Sequence, residues 1–106
     1  MLKTVKMPTF GEYIRSLRIS RKLLLREVAA GLGIDPSLLS RIERGVKRPT
    51  REQAIRLAAI LKVSERELLV HYLSDRVVYE LKGEKLALEA MQAAEKKIVY
   101  IKKRKG

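Results

Sequence analysis

Between residues 36 and 48, side chains that donate hydrogen bonds recur at separations of three or four residues. They are Ser37, Ser40, Arg41, Arg44, Lys47 and Arg48, and the acid among them is Glu43. Hydroxyl, guanidinium and ammonium groups donate to phosphate oxygens and to the acceptor edges of bases. Because residues three or four apart share one face of a helix, a helix here would hold most of these donors on one side. The pattern predicts a surface that binds a polyanion.

The charge of the whole chain agrees with such a partner. The 106 residues include 24 Lys and Arg against 12 Asp and Glu, so the formal net charge is +12. This balance favours nucleic acid as the partner. The length allows one compact domain with an appended element.

The residue types argue against an enzyme. The chain has no cysteine and a single histidine, His71. Without cysteine, there can be no disulfide framework and no thiolate metal site. We therefore predict no metal, no cofactor and no small-molecule ligand, and we expect His71 to lie on a helix surface or at an interface. No membrane-spanning run or secretory signal is present, so we expect a cytoplasmic protein without a membrane partner.

Two short helices joined by a tight turn are predicted to position the donors. The first covers roughly residues 25–32 and the second roughly residues 36–44. Gly33 follows the first helix, where glycine can adopt the left-handed conformation that closes a helix without a Cβ clash. Asp35 followed by a proline is typical of a helix start. The small residues Ala29 and Gly33 are predicted to let the two helices approach closely. This is the pattern of a helix-turn-helix, and the alternative is an ordinary helical hairpin with a solvated face.

Capping boxes predict where three further helices begin. The pairs are Thr9 with Glu12, Thr50 with Gln53, and Ser64 with Glu67. The helix after Ser64 either continues to Leu81 or restarts at Ser74. After Gly83, one apolar stripe predicts a last helix over residues 84–103. The predicted fold is therefore all-α.

These elements divide the chain into three predicted parts. Residues 1–8 form a loose basic arm, residues 9–70 form a compact domain, and residues 71–106 form a helical dimerisation extension with a basic tail. The apolar stripe of the extension is longer than a small domain needs, and an exposed patch of that size is unusual for a monomer. We predict a homodimer interface through Leu69, Leu73, Val77, Leu81, Leu86, Met91, Ala94, Ile98 and Ile101. The alternative is a monomer whose extension folds back on its own domain.

Several runs of the sequence resemble one known family. The runs IRSLR, REVAAGLGI, SLLSRIERG, and KRPT followed by LAAILKVSERELL are similar to XRE-type, or Cro/repressor-type, helix-turn-helix proteins over roughly residues 10–70. The resemblance implies a five-helix, lambda-repressor-like DNA-binding domain with an additional C-terminal helix or helical hairpin. It also implies a sequence-specific transcriptional regulator that binds palindromic double-stranded DNA as a homodimer. Within the family, the chain looks most like small stand-alone regulators, including those found beside restriction–modification genes.

The resemblance also implies roles for individual residues. The base-facing positions are Pro36, Ser37 and Arg41. Arg44, Lys47 and Arg48 match positions near the phosphate backbone, and we predict further phosphate contacts from Ser40 and Arg26. Arg18 and Glu43 are implied to form a structural ion pair. The family usually has Thr-Gln where this chain has Leu24 and Leu25, and leucine can neither cap the helix nor hold a phosphate. Either these leucines are buried against another surface, or Arg26 contacts the phosphate at that end instead.

Other functions compete with a regulator that reads DNA. One is an antitoxin-like interaction protein, whose C-terminal helices bind a partner protein and which autoregulates through DNA. Another is a membrane-surface anchor formed by the basic amphipathic helix 84–105, which its alanine-rich stripe disfavours. RNA binding is disfavoured because the five aromatic residues are scattered and form no stacking platform.

Overall fold

The computed structural model describes residues 7–105, and this range is all-α, which confirms the predicted fold class. The helices are α1 (Phe10–Ser20), α2 (Leu25–Leu32), α3 (Pro36–Glu43), α4 (Arg51–Leu61), α5 (Glu65–Leu81) and α6 (Ala87–Lys105). Most of the predicted basic arm, residues 1–6, lies outside the described residues. The chain divides into two compact units, and the division follows Arg76, inside the continuous helix α5.

The polar residues that precede the helices start them as the sequence predicts. Reciprocal side-chain and backbone hydrogen bonds of 2.9 and 3.1 Å join Thr9 with Glu12 and Thr50 with Gln53. The Ser64 hydroxyl accepts the amide of Glu67 at 3.0 Å. Each such cap satisfies an amide that the helix itself leaves unpaired and contributes about 1 kcal/mol.

The hydrophobic core lies in the first unit and draws on α1 to α5. Its buried members are Phe10, Ile14, Val28, Ala29, Leu32, Leu39, Ile42, Ala54, Leu57, Ala58, Leu61 and Leu68. Burying one large apolar side chain of this kind stabilises a fold by about 1.5–3 kcal/mol. Helix α3 packs against both α1 and α2, so one of its faces is fixed in the core.

Two glycines shape the packing for different reasons. Gly33 ends α2 with a φ of 71°, as predicted for a left-handed closing residue. A Cβ at Gly33 would meet nothing within 4 Å, so the prediction that its small size permits a close helix approach is wrong. The close approach is at Gly11, where a Cβ would lie 2.4 Å from the carbonyl oxygen of Ile42. Helices α1 and α3 therefore meet through a backbone position that has no side chain.

Helix α5 contacts α1 through Asp75, Tyr72 and His71, of which His71 was singled out from the sequence. The Asp75 carboxylate accepts the Phe10 amide at 2.9 Å, at the helix end where a negative charge is stabilising. The rings of Phe10 and Tyr72 meet edge to face with centroids 6.1 Å apart. The His71 ring stacks on Tyr13 with centroids 4.1 Å apart. His71 thus lies at an interface between two helices.

Tyr13 is also the centre of an electrostatic cluster at this α1–α5 contact. Burial raises the pKa of its phenol above the ordinary value, Glu67 raises that pKa further, and Arg21 opposes the shift. A raised folded-state pKa gives a stability contribution that is complete below the unfolded value of about 10 and is lost as the pH rises through the folded pKa. The contact is therefore indifferent to Tyr13 ionisation at neutral pH.

The second unit, from Val77 onward, comprises the end of α5 and α6. None of the side chains described between residues 77 and 104 is buried. The large apolar ones left exposed are Val77, Val78, Tyr79, Leu86, Leu88, Met91, Ile98, Val99, Tyr100 and Ile101. Within the described residues, no helix is long and apolar enough to cross a membrane. This unit therefore exposes most of the apolar stripe that the sequence predicted.

Candidate nucleic-acid interface

Helix α3 separates its structural residues from its polar donors. Leu39, Ile42 and Glu43 are buried. The predicted base-facing residues, Pro36, Ser37 and Arg41, are all exposed, and Ser40 is half-buried. Because Ser37 and Arg41 are four residues apart, they share one face of the helix. The helix thus presents a hydroxyl and a guanidinium side by side, away from the core.

The loop after α3 adds further cations to the same end of the helix. Gly45, with a φ of 78°, turns the chain, and the amides of Val46 and Lys47 then donate to the carbonyl oxygen of Arg41 at 2.9 and 3.2 Å. These bonds hold the loop against the last turn of α3. The donors of helix and loop together form what we call the α3 basic surface: Ser37, Ser40, Arg41, Arg44, Lys47 and Arg48.

An acid within α3 is neutralised from inside the fold. Arg18 donates from Nε to Oε2 of Glu43 at 2.8 Å and from Nη2 to Oε1 at 3.1 Å. Its Nη1 donates to the carbonyl oxygen of Leu23 at 3.0 Å. This is the ion pair that the family resemblance implied, and the Arg18 and Glu43 side chains are only 13% and 5% exposed. Because Glu43 faces inward, its charge is withdrawn from the α3 basic surface, and α1 is tied to the end of α3.

The start of α2 differs from the rest of the interface. Leu24 precedes the helix, is 48% exposed and has no side-chain atom that could hydrogen-bond a phosphate. Leu25 packs against the core. The Glu27 carboxylate accepts a hydrogen bond from the Leu24 amide at 2.8 Å. This acid directly follows the exposed Arg26 in the sequence. Arg26 is thus on a separate helix whose first turn is partly apolar and partly acidic.

Comparison with known proteins decides the family. The profile of the HTH_3 family, described as helix-turn-helix, matches residues 14–68, which run from α1 into α5. The chain belongs to this helix-turn-helix family. The predicted resemblance to XRE-type proteins is thereby confirmed.

Two curated relatives each match this helix-turn-helix protein over a little more than half of its length. The uncharacterized HTH-type transcriptional regulator RghRB of Bacillus subtilis strain 168 is 42% identical over 65 residues, which are 59% of this chain and 46% of the relative. The uncharacterized HTH-type transcriptional regulator Rv0474 of Mycobacterium tuberculosis strain H37Rv is 33% identical over 60 residues, 57% of this chain and 43% of the relative. Each match therefore spans less than half of the relative's length. Their names do not mention restriction–modification, so that narrower assignment stays a prediction.

A solved structure extends the likeness beyond the helix-turn-helix. One chain of the SinR protein/SinI protein complex matches with a TM-score of 0.53 and 29% sequence identity. The match covers 92% of this chain and 98% of that chain. The likeness therefore includes helices of the second unit as well as those of the first.

Sequence reasoning found the donors of α3 but missed the residues that fix α3 in place. Gly11 packs against the backbone of α3, and the Leu23 carbonyl oxygen accepts a hydrogen bond from Arg18, the ion-pair partner of Glu43. Neither group was singled out from the sequence. A glycine inside a helical pattern can mark a packing contact, and Gly11 is such a glycine. The Leu23 carbonyl carries no such signal, because every residue has one.

Proposed function

We propose that this helix-turn-helix protein is a sequence-specific DNA-binding transcriptional regulator that places α3 in the major groove. The observation that carries the proposal is the two-sided character of α3. Its inner face is fixed by Leu39, Ile42 and Glu43, and its outer face offers Ser37 and Arg41 to solvent. The names of the curated relatives and the net charge of +12 support the same function. No catalytic role is proposed.

Within this function, the donors have two roles. Ser37 and Arg41 contact base edges, and Pro36 offers a base only van der Waals contact. An arginine that donates twice to guanine contributes about 1–3 kcal/mol of discrimination against another base. Phosphate contacts, which set position rather than sequence preference, come from Arg26, Ser40, Arg44, Lys47 and Arg48.

Arg41→Ala is expected to remove the preference for one base pair in each half-site while leaving nonspecific DNA binding largely intact. The reason is that base contacts carry sequence information, whereas the phosphate contacts remain. The measurement is selection from randomised duplexes, followed by sequencing of the bound pool. Arg56→Ala is the matched control, because Arg56 is also an exposed arginine and lies on α4. An unchanged consensus for Arg41→Ala contradicts its role, and the absence of any consensus for the unmodified protein contradicts the proposed function.

We further propose that the protein acts as a homodimer through the apolar stripe of the second unit. The exposed side chains of Leu86, Met91, Ile98 and Ile101 form an apolar surface of the kind that marks an interaction site. The similar chain of known structure was solved in a protein–protein complex. A twofold pairing would set two copies of α3 about 34–36 Å apart, one helical turn of DNA, and so favour a palindromic site.

Sedimentation at micromolar concentration is expected to show a dimer of the full chain. Met91→Glu combined with Ile98→Glu should give a monomer, because it places two charges within the apolar stripe. Ile19→Glu is the control: Ile19 on α1 is 51% exposed, close to the 55% of Ile98, and its replacement should leave the dimer intact. A monomeric full chain would exclude the homodimer and leave two alternatives: an extension that folds back on its own domain, and an antitoxin-like protein whose stripe is covered by another protein.

A further inference from the structure

The C-terminal half of α6 carries charge of a single sign. Between residues 96 and 105 the sequence has six Lys and Arg and no acid, and the last acid of the chain is Glu95. The side chains described in this stretch are all exposed. The helix dipole favours cations in the last turn, but that effect fades beyond it and does not reach Lys96 and Lys97, two turns earlier. The helix's own stability therefore does not account for the run.

Four of these cations share one face of α6 with an aromatic ring. Lys96, Lys97, Tyr100, Lys103 and Arg104 are spaced by three or four residues, or by a whole number of turns. We call this set the α6 basic face. The guanidinium carbon of Arg104 lies 5.8 Å from the centroid of the exposed Tyr100 ring. At 1.5 Å per residue the face extends for about 12 Å, an axial length over which a DNA duplex carries about seven phosphates.

We propose that the α6 basic face binds the phosphate backbone of duplex DNA, as a second, sequence-independent contact in addition to that of the α3 basic surface. Naming DNA as the polyanion rests on the proposed function. On the helical wheel Lys96 and Lys103 lie opposite the stripe of Met91, Ala94, Ile98 and Ile101, and Lys97 and Arg104 flank it. Their long side chains can keep the charged ends in solvent when that stripe is covered. Lysine and arginine that neutralise phosphates release condensed counterions, which is the source of nonspecific affinity.

An anionic membrane is a poorer partner for this helix. A helix that lies on a membrane buries its apolar face and keeps aromatic side chains at that boundary. Here the ring of Tyr100 is in the middle of the basic face, on the side away from the apolar stripe. Insertion of the stripe would therefore leave the aromatic ring outside the lipid.

The test measures affinity for a random-sequence duplex across a salt titration, with the full chain. Replacement of Lys96, Lys97, Lys103 and Arg104 by Gln is expected to reduce the slope of log K against log salt by about 3.6, since each of the four lost contacts removes about 0.9. The matched control replaces Arg56, Lys62, Arg66 and Lys82 by Gln, which removes the same charge from exposed positions outside α6. The control should change the slope by less than about 0.9, the value for one lost contact.

A second variant separates lost contacts from a damaged helix. Replacement of the three lysines of the α6 basic face by arginine keeps the charge. The salt slope of this variant should therefore match that of the unmodified protein. Equal slopes for the Gln variant and the unmodified protein, or equal losses in the Gln variant and the control, would overturn the proposal. So would a Gln variant that loses binding to phosphatidylglycerol vesicles but keeps its full salt slope on duplex DNA.

The outcome for the α6 basic face is separable from that for the proposed function. The Gln variant should select the same consensus from randomised duplexes as the unmodified protein, because α6 contributes no base contact. If the unmodified protein selects no consensus, the sequence-specific function fails. A slope difference confined to the α6 variant would still support a phosphate contact at that face.

Discussion

Glu43→Gln is expected to lower the free energy of unfolding of the first unit by about 3 kcal/mol, because it leaves the Arg18 charge without its partner in a nearly buried site. Removing one member of a buried ion pair typically costs about 3–5 kcal/mol, and the 13% exposure of the Arg18 side chain places this site at the lower end. For a domain of this size, 3 kcal/mol corresponds to a fall in Tm of about 12 °C or more. A thermal melt measures it.

A double variant tests whether the effect comes from the stranded charge. Arg18→Met combined with Glu43→Leu removes both charges and keeps apolar volume, so it should recover much of the loss. Arg15 provides the control for a solvent-exposed pairing, since its Nε is 4.0 Å from Glu43 and its side chain is 61% exposed. Arg15→Gln should change stability by less than about 1 kcal/mol. A melt of Glu43→Gln that matches the unmodified protein would contradict the structural role of the pair.

The local elements of the fold were within reach of sequence reasoning because their causes are local. A capping box needs residues only three positions apart, and both Thr9 and Thr50 start helices as expected. The turn of the helix-turn-helix was equally readable, since Gly33 and Asp35 each match a backbone requirement of their own position. Helix α3 is one residue shorter than predicted, and α6 begins at Ala87 rather than at residue 84. A difference of one residue is ordinary fraying of a helix end, whereas residues 84–86 form a turn that precedes α6.

The contacts between distant segments could not be predicted in the same way. Asp75 accepts an amide from Phe10 across 65 positions of sequence, and nothing local to either residue indicates the other. The stacking of His71 on Tyr13 has the same origin. The Arg18–Glu43 pair was predictable only because the resemblance to a family implied it. Tertiary contacts of this kind depend on where whole helices lie, and a single sequence gives that information only through a known relative.

For the candidate site, the sequence predicted the donor residues but not the contacts that hold α3 in position. The spacing and charge of the residues were enough to predict which side chains of α3 are donors. Their exposure on one side of the helix agrees with that prediction. Their orientation depends on the inner face of α3, which is set by Arg18 from one side and by the backbone of α1 from another. A substitution that moves α3 would therefore weaken the proposed base contacts without changing a donor.

Gly11→Ala is expected to be as damaging as the loss of Glu43, with a fall of about 3 kcal/mol in the free energy of unfolding, at the upper end of the usual range for overpacking. The added Cβ would lie 2.4 Å from the carbonyl oxygen of Ile42 and 2.5 Å from that of Glu43. Both are backbone atoms at the end of α3, so the overlap cannot be relieved by a side-chain rotation. Helices α1 and α3 would have to separate.

Gly31→Ala is the matched control, since it is the same substitution in a neighbouring helix. Its Cβ would meet the terminal Cδ1 of Ile60 at 2.9 Å, and that flexible end can rotate away. Alanine is favoured over glycine inside a helix by about 1 kcal/mol, so this variant should be neutral or slightly stabilised. Chemical denaturation of both variants measures the difference. A Gly11→Ala protein as stable as Gly31→Ala would mean that α1 and α3 do not approach this closely. Because that approach positions α3, the same result would remove the structural basis for proposing α3 as a rigid helix that contacts bases.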